Sequence, residues 1–328
     1  MVLFFKNLTS NIFIKQIKIF FRLNKNYSKF VTNKSLYFYV FITPPFGYFF
    51  YLILKLLLVI NSKYFKKYLS KKIFLSALRF VKVEEKIKIS NLMHEYNSYD
   101  KEIDQNKFIG NKKISKILEE LNSDGISDLG LLFSKQQCKD FINFLQNKTY
   151  YNSQTLLQSD GNPHTYDKNK KNLKSNSYLR FGPDINNSFE PLRNLAQNKE
   201  LNELINSYLK FKSSIYLNNT WYNMPDTDFH YVRRIHRDYD DWKFLVVTIY
   251  WNDIDEESAP LGFFKKSHKN SNCQNLETKF TGSAGTVLIG DYFALHKGNV
   301  AKKSRYVSTI RYGKSFNYSS VINGFLEA

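Results

Sequence analysis

The stretch RIHRDYDDWKF, residues 234–244, sets a histidine and an aspartate two residues apart, just before the apolar run LVVTIYW. Side chains two apart on an extended strand point to one side, about 6.6 Å from each other at roughly 3.3 Å per residue. His236 and Asp238 can therefore aim an imidazole and a carboxylate at one metal ion. His230 shares their parity, but six residues carry it roughly 20 Å along a strand, too far to share the ion. The third ligand has to come from elsewhere. His296, in GTVLIGDYFALHKGNV, follows an apolar strand and precedes Gly298, where a turn would present it. Two imidazoles and one carboxylate on one face leave open positions, a set that suits non-haem Fe(II) oxygenase chemistry. An isolated HxD is a weak signal, so order and distance matter. Sixty residues separate His236 from His296, and nine further on Arg305 opens RYVSTIRYG. An arginine there can pair bidentately with the distal carboxylate of a dicarboxylic co-substrate. Arg311 has the same strand parity, so both remain candidates, with spacing favouring Arg305.

The elements that must carry these residues are mostly strands. YLRFG, SSIYLNNTWYNM, FLVVTIYWND, GTVLIGD and RYVSTIRYG are short aromatic or β-branched runs separated by Gly, Pro, Asn or Asp. A helical lead-in precedes them. KISKILEELNSDG (113–125) places Ile114, Ile117, Leu118 and Leu121 on one face and stops at Gly125. ISDLGLLF reads as a strand. Ser134 reads as an N-cap for a helix that turns Phe141, Phe144 and Leu145 inward. LRNLAQNKELNELINSYL (192–209) reads as one further helix, and 158–177 as a long polar loop. Many short strands after helices predict an α+β, mainly β chain: a barrel or jelly roll with helices packed on it.

The 328 residues carry a formal charge of +19, unevenly spread. Residues 1–90 hold 17 Lys and Arg against Glu84 and Glu85, while 91–328 hold 31 basic and 27 acidic residues. Nucleic acid is therefore disfavoured as a partner of the metal-bearing domain. Two domains are expected: an extension over 1–90 and a catalytic-type domain over 91–328. Within the extension, LYFYVFITPPFGYFFYLILKLLLVI (36–60) has one charge, Lys55, and is long enough to span a bilayer. Pro44 and Pro45 break a straight helix, leaving an apolar stretch too short to cross. Basic flanks on both sides fit a segment lying on an anionic membrane surface through residues 1–80. A helix packed on the folded domain is the other reading. The expected location is the cytoplasm, at the cytoplasmic face of a membrane. Cys138 and Cys273 form no CxxC, which excludes thiolate zinc sites and redox pairs.

Residues of about 114–313 resemble the phytanoyl-CoA dioxygenase family of Fe(II)/2-oxoglutarate oxygenases. ILEELNSDGISDLGLLFSKQQCKDFINFL resembles the family's opening helix, strand and helix. HRD matches its HxD, SAPLGFFKKSHK resembles its NGPL…PGSHK segment, and GDYFALHKGNVAKKSRYVSTIRYG resembles its last two strands. Ala259 and Leu261 alter the NGPL context and Lys265-Lys266 replace Pro-Gly, at positions that shape a turn. The resemblance implies a double-stranded β-helix, cupin-like, with His236, Asp238 and His296 on iron and Arg305 on 2-oxoglutarate. It implies that 2-oxoglutarate and O2 are consumed, with succinate released, to oxidise an unactivated C–H bond. Related halogenases lack the carboxylate that Asp238 supplies, so hydroxylation is the expected outcome. Alignment with the family puts Thr248 where a second co-substrate contact occurs. Tyr250, on the same face, is a candidate for the pocket wall. Arg180 in SYLRFGP is a candidate for an anionic substrate group, with a surface ion pair as its plainer role.

The expected activity is thus hydroxylation of a small or lipid-linked molecule. A zinc-dependent hydrolase on the same triad, or a non-catalytic β-helix module anchored by its extension, are the alternatives. A zinc hydrolase would need neither 2-oxoglutarate nor Arg305. Substrate identity and oligomeric state carry no readable code in the sequence.

Overall fold

The computed structural model describes residues 51–53, 81–96, 103–153, 164–169, 178–182, 184–225, 235–271, 277–299 and 301–314. The chain divides into two compact units at 96/97. In the first, helix α1 (Val83–Tyr96) opens with Glu84 and Glu85, and the Tyr51 hydroxyl donates to Glu85 Oε2 at 3.1 Å. Carboxylates in a first turn favour the positive end of the helix dipole. The apolar stretch 36–60 lies outside the described residues except for 51–53, which are helical. Among the described residues no helix is long and apolar enough to cross a membrane.

The second unit is a mixed α+β fold with a large antiparallel sheet and packed helices. After a two-residue pair, β1 (Phe108–Ile109) and β2 (Lys112–Lys113), come α2 (Ile114–Ser123), β3 (Ile126–Leu131) and α3 (Lys135–Phe144). Then follow β4 (Thr149–Ser153), β5 (His164–Thr165), β6 (Tyr178–Phe181) and three helices, α4 (Asp184–Ser188), α5 (Glu190–Gln197) and α6 (Lys199–Leu209). The rest is strand: β7 (Ser214–Asn223), β8 (Leu245–Tyr250), β9 (Leu261–Phe264), β10 (Glu277–Phe280), β11 (Thr286–Gly290), β12 (His296–Gly298) and β13 (Arg305–Gly313).

Ser134 caps α3 as expected, in a capping box with Gln137. Ile114, Ile117 and Leu121 are buried on α2, while Leu118 and Phe144 are only partly covered. The single helix expected over 192–209 is two. Asn198 (ψ 125°) leaves the helical region, and its side chain caps α6 by accepting from Leu201 N at 2.8 Å. An asparagine offered a backbone N–H prefers a cap to a helix interior.

The large sheet runs β3-β11-β8-β13-β7-β6-β4-β5, and a smaller one runs β10-β9-β12. A single antiparallel bridge, His236 to His296, adds the segment around His236 beside β12. From β7 onward the chain therefore passes back and forth between sheets, with β9 and β10 following each other in the small one. β7, β8, β11 and β13 lie in the large sheet. The His236 segment, β9, β10 and β12 lie with the small one. β8 is buried along its whole length, which explains its unbroken apolar run. Leu245, Val247, Ile249 and Trp251 face the helices, where Trp251 stacks on Phe141 with ring centroids 3.8 Å apart. Thr248 and Tyr250 face the small sheet: the Tyr250 hydroxyl donates to Phe280 O at 2.9 Å, and Thr248 Oγ1 lies 2.6 Å from the Tyr292 hydroxyl.

Candidate metal centre

Backbone pairing brings the predicted ligands together. His236 N donates to His296 O at 3.0 Å and His296 N donates to His236 O at 2.9 Å. Residues paired this way put their side chains on one face of the ladder. Asp238 N then donates to Tyr292 O at 3.0 Å, which holds the carboxylate on that face. The sequence reading put His296 in a turn after a strand. It instead opens β12, paired on its other side with Phe263 of β9.

One atom from each of His236, Asp238 and His296 lies within 4.8 Å of the others. Asp238 Oδ1 is 3.8 Å from His236 Nε2, and Asp238 Oδ2 is 3.8 Å from His296 Nε2. His296 Nδ1 is 3.0 Å from Ala294 O, so Nδ1 carries the proton and Nε2 keeps its lone pair for a metal. Burial pushes the His296 imidazole down to about 4, so it is neutral at pH 7 and ready to ligate. Burial raises the Asp238 carboxyl, but the Arg311 guanidinium, helped by the neighbouring imidazoles, outweighs it and keeps the group below its ordinary value. The donor set fits a divalent ion that tolerates mixed nitrogen and oxygen ligands.

The frame around the ligands was not legible beforehand. Arg237, the middle residue of HRD, points away and donates through Nη1 to Ser267 O at 2.7 Å and Phe293 O at 2.6 Å. Ser267 Oγ in turn accepts from Leu295 N at 2.7 Å, next to His296. The SHK turn thus ties both ligand-bearing segments. Tyr292 packs on His296 with centroids 4.7 Å apart. Nothing in local spacing marks Arg237 and Ser267, because these partners lie 28 to 56 positions away.

The two candidate arginines separate sharply. Arg311 is buried and engaged: Nη1 lies 2.9 Å from Asp238 Oδ2 and also contacts Asp240 Oδ2. Arg305 is buried too, but among the described residues it has no carboxylate partner. Its Nη1 donates to Ala259 O, while Nε has no acceptor. It faces Tyr250 and Tyr292, and burial lowers it from its ordinary value. A buried guanidinium without a counter-ion is costly, so its place calls for an anion.

Thr248 is buried and bonded to Tyr292 as above. Tyr250 also lies on the inner face, its hydroxyl tied to the small sheet and pushed up to about 12, chiefly by burial. Arg180 corrects its plainer reading: it is buried, not a surface residue, and its Nε donates to Asn219 Oδ1 at 3.1 Å. It pairs across the ladder with Trp221, next to the β13 residues of the inner face. His268 is buried in the SHK turn, His164 contacts Asn152 at the sheet edge, and His230 lies outside the described residues.

No family model and no curated protein matches the sequence. Solved structures do. The non-heme α-ketoglutarate-dependent epimerase SnoN from nogalamycin biosynthesis aligns with a TM-score of 0.46 and 10% identity, over 62% of this chain and 83% of that one. HygX from Streptomyces hygroscopicus, with nickel and 2-oxoglutarate bound, aligns with a TM-score of 0.45 and 13% identity, over 61% and 87%. The non-heme α-ketoglutarate-dependent carbocyclase SnoK from nogalamycin biosynthesis aligns with a TM-score of 0.45 and 11% identity, over 64% and 87%.

Proposed function

We propose that this chain is an Fe(II)- and 2-oxoglutarate-dependent dioxygenase that hydroxylates a small or lipid-linked molecule. The observation that carries the reading is the His236, Asp238 and His296 cluster in one domain with Arg305, a buried cation near Tyr250 and Tyr292 that has no carboxylate partner among the described residues. The passage of the last eight strand segments back and forth between two sheets supports a double-stranded β-helix as the scaffold.

In this reading the three ligands hold one side of the iron. Bound Fe(II) and 2-oxoglutarate together supply the oxidant from O2, while 2-oxoglutarate is converted to succinate and CO2. His296 offers Nε2 because Ala294 O holds its Nδ1 proton. Arg305 grips the distal carboxylate of 2-oxoglutarate, a task its planar fork suits better than a lysine would. Thr248 and Tyr292 line the space between, with Tyr250 in the wall. Arg180 is assigned to a polar or anionic group of the substrate. Charge supports the assignment. Asp238 and Asp240 balance Arg305 and Arg311, so a divalent cation and a dicarboxylate enter together without net charge burial. The basic apolar extension is assigned to an anionic membrane surface on the cytoplasmic side.

The test is an anaerobic titration with Fe(II) and 2-oxoglutarate, reading the visible charge-transfer band of the chelate. Wild type gives the band and His236→Ala does not. A folded wild type that binds zinc and gives no band with iron overturns the reading and leaves a hydrolase.

A further inference from the structure

We propose that Arg311 is a positioning residue that limits Asp238 to one oxygen at the metal, and that Asp240 masks its charge. The inference rests on the metal site proposed above. Arg311 projects from β13 six residues beyond Arg305 and is 4% exposed. Its Nη1 sits 2.9 Å from Asp238 Oδ2 and also reaches Asp240 Oδ2. The Tyr216 hydroxyl donates to the same Asp240 oxygen at 2.8 Å. A chain therefore runs from Tyr216 on β7 through Asp240 and Arg311 to one oxygen of a ligand carboxylate. Asp238 Oδ1, 3.8 Å from His236 Nε2, lies outside this chain, while Oδ2 is 3.8 Å from His296 Nε2 as well as 2.9 Å from the guanidinium.

The consequence is stereochemical. A carboxylate free to rotate can chelate a divalent ion through both oxygens, taking two positions. Each carboxylate oxygen stands 3.8 Å from one imidazole Nε2, but only Oδ2 also meets the guanidinium, so Oδ1 is the oxygen left for the ion. Three protein ligands then leave three positions of an octahedron: two for a bidentate dicarboxylate and one more. Chelation by Asp238 would close that last position. The guanidinium brings a problem of its own, since a bare positive charge beside the carboxylate repels an incoming dication. Asp240 answers it. The ion pair is neutral as a unit, yet it keeps the guanidinium 2.9 Å from Oδ2. Outer hydrogen bonds of this kind orient ligands and tune affinity.

The experiment loads the full-length protein with Mn(II) alone and measures metal affinity and water-proton relaxivity. Wild type binds Mn(II) with three exchangeable water positions. The double variant Arg311→Gln/Asp240→Asn removes both charges together, so no lone charge is left buried. It is expected to bind Mn(II) while relaxivity falls by about a third, as Asp238 closes one of three open positions. The single variant Asp240→Asn, nearly isosteric, unmasks Arg311 and is expected to weaken Mn(II) binding by about tenfold or more. Equal relaxivity in wild type and double variant overturns the positioning role. If the double variant fails to fold, unchanged Mn(II) affinity in Asp240→Asn overturns the masking on which the device depends. Wild-type protein that binds no Mn(II) overturns the metal site itself, a failure distinct from either of these.

Discussion

His236 and His296 are direct cross-strand partners, each donating its backbone N–H to the other's carbonyl at 3.0 and 2.9 Å. Two residues sixty positions apart are thus held in register by the same bonds that extend the small sheet. The candidate metal site is built into the ladder, and anything that loosens the ladder loosens the cluster.

Arg305→Ala is expected to keep metal binding and lose the co-substrate. The guanidinium touches no ligand residue, so the triad is left intact. Charged hydrogen bonds are worth about 1.5–3 kcal/mol each, which puts the loss in 2-oxoglutarate affinity at about tenfold or more. Isothermal titration with Ni(II), then with 2-oxoglutarate, checks both halves. Equal 2-oxoglutarate affinity in the variant would remove Arg305 from the site.

The metal-free protein is expected to lose stability as pH falls from about 6.5 to 4. Burial holds the His296 imidazole at about 4 against an ordinary 6.5. Between those values the unfolded chain takes up a proton that the folded one refuses. The contribution is complete above 6.5 and shrinks as pH drops through the window, by up to about 3 kcal/mol. Urea midpoints at pH 7.5 and 4.5 should show the decline in wild type and a smaller one in His296→Gln.

Arg237→Ala is expected to weaken the site without touching a ligand. It frees Ser267 O and Phe293 O, the two carbonyls that clamp the segment carrying His236 and Asp238. A cost of about 2–3 kcal/mol in stability follows from losing a charged donor shared between two acceptors. Thermal melts and a Ni(II) titration would show both effects. An unchanged Ni(II) affinity would mean the ladder alone suffices.

Two turn positions should respond in opposite directions. Lys266 is left-handed (φ 65°), where glycine carries no steric penalty, so Lys266→Gly is expected to stabilise by about 1 kcal/mol. Gly125 also has positive φ (86°), and a Cβ there would stand 2.6 Å from His268 Nδ1. Gly125→Ala is therefore expected to destabilise, by about 2 kcal/mol or more. Melting temperatures of the two variants give the check.

Much of the ligand set was legible because it depends on local rules. Strand parity put His236 and Asp238 on one side, and the β-branched run of β8 announced a strand. The capping box at Ser134 was equally local. The small sheet was not legible. LGFF, ETKF and HKG run four, four and three residues, too short for alternation to declare itself. The frame of Arg237 and Ser267 was hidden for another reason, its contacts being long-range.

By itself, then, the sequence determined which residues could ligate a metal and which faces of its strands they would occupy, since a period of two is a property of the chain alone. Tertiary structure decided the rest. Arg305 and Arg311 share a strand and a parity, and no local pattern tells them apart. They differ because folding carries Asp238 and Asp240 to one and leaves the other buried with no carboxylate partner among the described residues. Charge pairing between distant segments is set by how the sheets close on each other, and only the folded chain holds that information.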